Sequence, residues 1–92
     1  MNRIIPKVVV YTTAWCPYCI KAKALLNKKN ISYTEIRVDL EPWQRAVMIE
    51  KSSGRRTVPQ IFIDNEAIGG CDNLFSLDHL GKLDDLFGLN IN

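Results

Sequence analysis

Cys16 and Cys19 are the residues of this chain best suited to covalent chemistry, and they lie together in Trp15-Cys16-Pro17-Tyr18-Cys19. Two thiols at this spacing serve either of two chemistries. They form half of a tetrahedral metal site, or they cycle between dithiol and disulfide. A structural zinc site wants four ligands, and here no second such pair exists. Cys71 and His79 are the other soft donors, and they do not repeat the spacing. We therefore expect no metal site. Redox chemistry instead asks that one thiol be held as a thiolate, because only the thiolate attacks a disulfide.

The flanking elements decide which thiol that is. Residues 7–12, Lys-Val-Val-Val-Tyr-Thr, read as a buried strand, and residues 13–15 as a loop. A helix follows over residues 17–29. Pro17 suits the first helical position, and Lys28 and Lys29 suit the C-terminal end of the dipole. Helical periodicity puts Tyr18, Cys19, Ala22, Leu25 and Leu26 on one broad face, and Asn30 is a C-terminal stop. Cys16 thus stands exposed at the helix start, where free N–H groups and about half a positive charge favour a sulfur anion. Cys19 leans toward the core one turn later and ionises less readily. Cys16 is the expected nucleophile and Cys19 the resolving thiol.

The remaining chain builds the frame. Residues 31–38 alternate as a second strand, parallel to the first through the helical crossover. A turn at 39–42 leads to a helix over 43–52, ended by Gly54, in which Trp43 reads as packing. Thr57-Val58-Pro59-Gln60 precedes a strand at 61–63. A turn at 64–65 and a short strand at 66–68 complete an antiparallel hairpin. Gly69-Gly70 breaks the chain. Asp72 is the expected N-cap of a helix running to about residue 80, Gly81 its stop, and residues 82–87 one further turn. The order βαβαββα predicts an α/β fold with a four-stranded mixed sheet and helices on its faces, one domain over 1–92.

Composition narrows the partners. In 92 residues, 47% are apolar and the net charge is +2, with basic residues scattered among acids, so no nucleic-acid footprint is expected. Apolar runs are too short to span a bilayer, and residues 4–7 form no signal-like segment. Three cysteines make a poor disulfide framework, which suggests a reducing compartment such as the cytoplasm. Cys71 reads as a partly buried free thiol, with a regulatory disulfide as the alternative. His79 reads as a surface residue.

Three blocks, Cys16-Pro17-Tyr18-Cys19, Thr57-Val58-Pro59-Gln60 and Gly69-Gly70-Cys71-Asp72, together resemble a dithiol glutaredoxin of the Cys-Pro-Tyr-Cys class. The likeness runs from Val8 to about Leu86. It implies a thioredoxin fold, no bound cofactor, and glutathione as electron-donating co-substrate. It implies a cis peptide bond before Pro59 and a Val58 backbone that pairs with the cysteinyl part of glutathione. The Gly70, Cys71, Asp72 and Asn73 stretch would hold the γ-glutamyl end. Asp72 would serve as helix cap, as partner of the ammonium, or as both. Tyr18 and Thr57 would line the same groove, and Trp15 would flank the active site as a substrate contact or merely cover the helix end.

Two positions depart from the family pattern. Many relatives carry a lysine where this chain has Thr13, which leaves more to the helix terminus and to Arg55 or Arg56. Relatives often carry an acid at Asn73. The implied partners are glutathione, disulfide-containing or glutathionylated proteins and, indirectly, glutathione reductase with NADPH, the chain acting as a monomer. The rival readings are a glutathione-ligated iron–sulfur carrier, which Pro17-Tyr18-Cys19 disfavours, a thioredoxin-like protein reduced by a flavoprotein reductase, and a purely structural or binding domain.

Overall fold

The computed structural model describes residues 5–89, so the single-domain expectation for 1–92 reaches beyond the described residues. Its elements run β1 (Val8–Thr12), α1 (Pro17–Lys28), β2 (Thr34–Arg37), α2 (Trp43–Lys51), β3 (Gln60–Ile63), β4 (Glu66–Gly69), α3 (Cys71–His79) and α4 (Lys82–Leu86). The strands form one sheet in the order β2-β1-β3-β4. The pair β1·β2 is parallel, with Val9 opposite Thr34. The pairs β1·β3 and β3·β4 are antiparallel, with Val10 opposite Ile61 and Phe62 opposite Ala67. This is the mixed sheet that the order of strand and helix signals predicts, with α4 as a separate final helix.

Strand alternation divides the core into two layers. Val8, Val10, Ile61 and Ile63 face α1, α3 and α4 and pack with Ala22, Leu25, Leu26, Leu74 and Leu83. Tyr11 and Phe62 face the other way, toward Met48 of α2 and Val38. The Tyr11 and Phe62 rings meet edge to face at 5.5 Å. On α2, Met48 and not Trp43 is the anchor, for Met48 is fully buried while Trp43 is 63% exposed. The packing role expected for Trp43 is corrected accordingly. Trp43 and Met48 stand about 140° apart around α2, so the face that buries Met48 leaves Trp43 in solvent.

Helix ends follow local chemistry. After Lys29 the chain turns left-handed at Asn30 (φ 57), with Asn30 N–H bonding the Asn27 carbonyl and Ile31 N–H the Leu26 carbonyl. That pair of bonds closes α1 as a Schellman motif. Buried Ile31 belongs to this closure, and pairing with β1 begins only at Thr34. The second strand is therefore shorter than residues 31–38. The third helix also starts earlier than expected. Gly70 is its N-cap and Asp72 lies in its first turn, because the Asn73 side chain reaches back to accept the Gly70 N–H at 3.0 Å. Among the described residues no helix is long and apolar enough to cross a membrane.

Candidate active site

The C-terminal ends of β1 and β2 carry the loops that place both thiols. Asp39, after β2, accepts the Ala14 N–H at 3.2 Å and is itself gripped by Arg37 through two hydrogen bonds of 2.7 and 2.6 Å. This pairing holds the Asp39 carboxyl well below the usual carboxylate range. Trp15 then adopts the left-handed conformation (φ 55), turns the chain into α1 and leaves its ring 96% exposed. It stands free beside the cysteines and covers nothing.

Cys16 is the N-cap of α1, half-exposed, with its sulfur accepting the Cys19 N–H at 3.2 Å. A thiolate there receives one of the helix's orphan donors directly. Cys19 is 1% exposed. Burial, and then its hydrogen bond to Cys16, push the Cys19 thiol up to about 12. The two cysteines thus divide as the helix period predicts. Tyr18, placed with the core face by periodicity, is instead 62% exposed and turned along the surface.

The loop before β3 approaches from the opposite side. The Val58–Pro59 peptide bond is cis, and the Val58 carbonyl oxygen lies 3.8 Å from the Cys16 sulfur. Buried polar side chains brace this loop. Gln60 donates from Nε2 to the Thr57 carbonyl at 3.0 Å, and Ser52 Oγ accepts the Arg55 N–H at 3.1 Å. Neither residue had a site role in the sequence reading. A polar residue at a strand or helix end carries no sign that it turns inward toward its own loop. The Gln60 Oε1 has no partner among the described residues.

A groove of about 280 Å³ runs from this loop to the start of α3. It is lined by Tyr18, Thr57, Val58, Pro59, Gly70, Cys71, Asp72 and Asn73, so every residue expected to line one groove is brought to it. Cys71 is buried and a free thiol, and burial raises its ionisation range. Asn73 uses its side-chain oxygen on the Gly70 cap, and Arg55 Nη1 meets the same oxygen at 3.5 Å. Arg55 therefore sits at the α3 end of the groove, and the Arg56 carbonyl accepts from Arg45 at 2.8 Å. Gly69 (φ 117) is a further requirement, since a Cβ there would lie 2.3 Å from the Asn73 Oδ1. The Gly69-Gly70 pair was its signal. His79 is exposed at the far end of α3. No group of three or more His, Cys, Asp or Glu among the described residues is arranged to hold a metal ion.

A half-exposed thiol at a helix cap with a buried thiol one turn behind it, carried on this sheet, defines a thioredoxin-fold protein that exchanges thiols and disulfides. The glutaredoxin family model matches residues 8–68. Glutaredoxin 1 of Rickettsia prowazekii is 56% identical over 88 residues, spanning 94% of this chain and 93% of that protein. The solution structure of Brucella melitensis glutaredoxin superposes with a TM-score of 0.77 at 48% identity, over 90% of this chain and 89% of that one. A buckwheat glutaredoxin, crystallised as a complex with glutathione, superposes with a TM-score of 0.82 at 30% identity, over 91% and 78%. The chain belongs to the glutaredoxin family, and its activity is that of a thiol–disulfide oxidoreductase.

Proposed function

We propose that this chain reduces glutathione mixed disulfides and protein disulfides with glutathione as electron donor. The observation that carries this reading is the groove of Val58, Asp72 and their neighbours, which adjoins the Cys16 sulfur through the Val58 carbonyl. The glutathione complex of the buckwheat relative supports it. The Val58 backbone hydrogen-bonds the cysteinyl unit as an added strand would. The nine-residue helix α3 presents N–H groups to the γ-glutamyl carboxylate, and Asp72 takes its ammonium. Thr57, Pro59 and Tyr18 wall the groove, and Gly70, Cys71 and Asn73 close its end.

With a glutathionylated substrate, the Cys16 thiolate attacks the glutathione sulfur, the substrate leaves as a thiolate, and Cys16 becomes glutathionylated. A second glutathione thiolate attacks that bond, giving glutathione disulfide and the Cys16 thiolate. With a protein disulfide, Cys16 takes one sulfur into a mixed disulfide and releases the other. Cys19 then displaces the substrate, forming the Cys16–Cys19 disulfide, and two glutathiones return it to the dithiol. A pair that cycles in this way works in a reducing compartment, and the cytoplasm is our proposal.

The test is coupled turnover of a small glutathione mixed disulfide with glutathione, glutathione reductase and NADPH. Turnover that needs glutathione, is lost in Cys16→Ser and persists in Cys19→Ser is expected. Asp72→Asn should raise the glutathione KM about tenfold, the equivalent of one charge-assisted hydrogen bond. Equal turnover with thioredoxin reductase replacing glutathione would contradict the reading.

A further inference from the structure

Lys23, Glu35 and Thr12 form a hydrogen-bonded cluster that the proposed reaction does not use. Lys23 follows Cys19 by one helical turn on the same side of α1, and helical side chains lean back over the turn that precedes them. Its ammonium is fixed from the sheet side. Glu35 of β2 accepts from it at 2.8 Å, and the same Glu35 oxygen accepts the hydroxyl of fully buried Thr12 at 2.7 Å. Both charged side chains are more than two-thirds covered. Three elements therefore combine to hold one cation at the turn that carries the buried thiol.

We propose that Lys23 is a positioning residue for the second half of the reaction, its Glu35-held ammonium stabilising the Cys19 thiolate that attacks the mixed disulfide on Cys16. The inference rests on the proposed resolving role of Cys19. The step balances without a further reactant. A Cys19–Cys16 disulfide bond forms, the bond from Cys16 to the substrate sulfur breaks, and the proton lost by Cys19 is made up on the departing thiol through solvent. Lys23 donates no proton, because its bond to Glu35 keeps it charged above the ordinary lysine range.

The charges facing these groups agree with that role. Burial and Cys16 oppose ionisation of Cys19, while the Thr13 backbone amide and Lys23 favour it. Around Lys23 stand Glu35, Tyr33 and Cys19, and around Glu35 stand Lys23, Thr12 and Arg37. Two neighbouring lysines are engaged elsewhere, one within α1 and one at its C-cap. Lys21 lies over the Phe75 ring at 5.2 Å, and Lys29 is held by Asp78 and Asp84.

Lys23 is the smallest of the influences on Cys19, so its removal should raise that thiol by no more than about one pH unit. Raising a thiol by one unit cuts its thiolate tenfold but makes that thiolate about threefold more reactive, so the rate falls about threefold per unit. The experiment is rapid mixing of the reduced protein with one equivalent of dithiobis(nitrobenzoate), followed by thionitrobenzoate release across pH. A concentration-dependent phase reports attack by Cys16, and a concentration-independent phase reports displacement by Cys19.

Lys23→Met should slow the second phase by up to about threefold near neutral pH, move its pH profile upward and leave the first phase unchanged. Lys23→Arg should restore the second phase. Equal second phases in wild type and Lys23→Met, or equal slowing of both phases, would overturn the inference. Persistence of the second phase in Cys19→Ser would instead overturn the resolving role on which it rests.

Discussion

Cys16, Cys19 and Cys71 are chemically one residue, and their differences come from where the backbone leaves each sulfur. Cys16 caps α1 and takes the Cys19 N–H, whereas Cys19 and Cys71 are buried with their ionisation pushed up. At pH 8 a thiol at about 12 is ionised in on the order of one molecule in ten thousand, and burial hinders access further. Brief treatment of the reduced protein with iodoacetamide should therefore alkylate Cys16 and spare Cys19 and Cys71, as read by peptide mass mapping. Comparable labelling of Cys19 would contradict the assigned roles. This division was legible beforehand, because a proline at the first helical position and an apolar face one turn later leave little choice of register. The inward turn of Gln60 and Ser52 was not legible. Only the carbonyl and amide they bind across their loops distinguish them from surface residues.

At the scale of the element, backbone turns and interhelical ties set the groove. Gly69 combines φ 117 with space too small for a Cβ beside Asn73, whose oxygen caps α3 at Gly70. Gly69→Ala should destabilise the protein by about 1–3 kcal/mol and weaken glutathione binding with it. Denaturant unfolding and the glutathione KM check this, and an unchanged KM would show that the cap does not shape the groove. The Asp72 expectation starts the third helix two residues late, because Asp72 is a better capping residue by type than Gly70. The side chain of Asn73 decided otherwise. A second tie closes the opposite end of α1. Lys29 meets Asp78 at 2.5 Å and Asp84 at 2.6 Å, binding α1 to α3 and α4.

Its bonds to Asp78 and then Asp84 raise the Lys29 ionisation range. Its stabilisation is therefore complete below the ordinary lysine range and is lost as pH rises through the elevated folded value. These side chains keep about a fifth to nearly a third of their exposure, so solvent screens the tie. Lys29→Met should lower Tm by about 2–6 °C near neutral pH, and the difference should fade as pH rises through the elevated Lys29 range. A difference that persists there would mean that packing, not charge, is lost.

Across the whole molecule, chain order and the residues that line the groove were legible because each rests on a local signal. The βαβ crossover, the hairpin turn and the glycine break fix which strands neighbour each other, and the same breaks carry Val58, Gly70 and Asp72 to one groove. Contacts between distant side chains were not legible. The Thr12–Glu35–Lys23 cluster and the Ala14–Asp39 tether join residues on separate elements, with no spacing rule between them. The exposure of Trp43 likewise follows from which face of α2 packs on the core, that of Met48, and not from its own type.

The central claim is that glutathione enters the groove with its sulfur in line with Cys16. Intact-protein mass after reaction of Cys19→Ser with glutathione disulfide tests it most directly. One glutathionyl group, mapped to Cys16 and removed by reduced glutathione, is predicted, whereas the wild type should pass to a Cys16–Cys19 disulfide without retaining the adduct. An unmodified Cys16, or an adduct on Cys71 instead, would contradict the account.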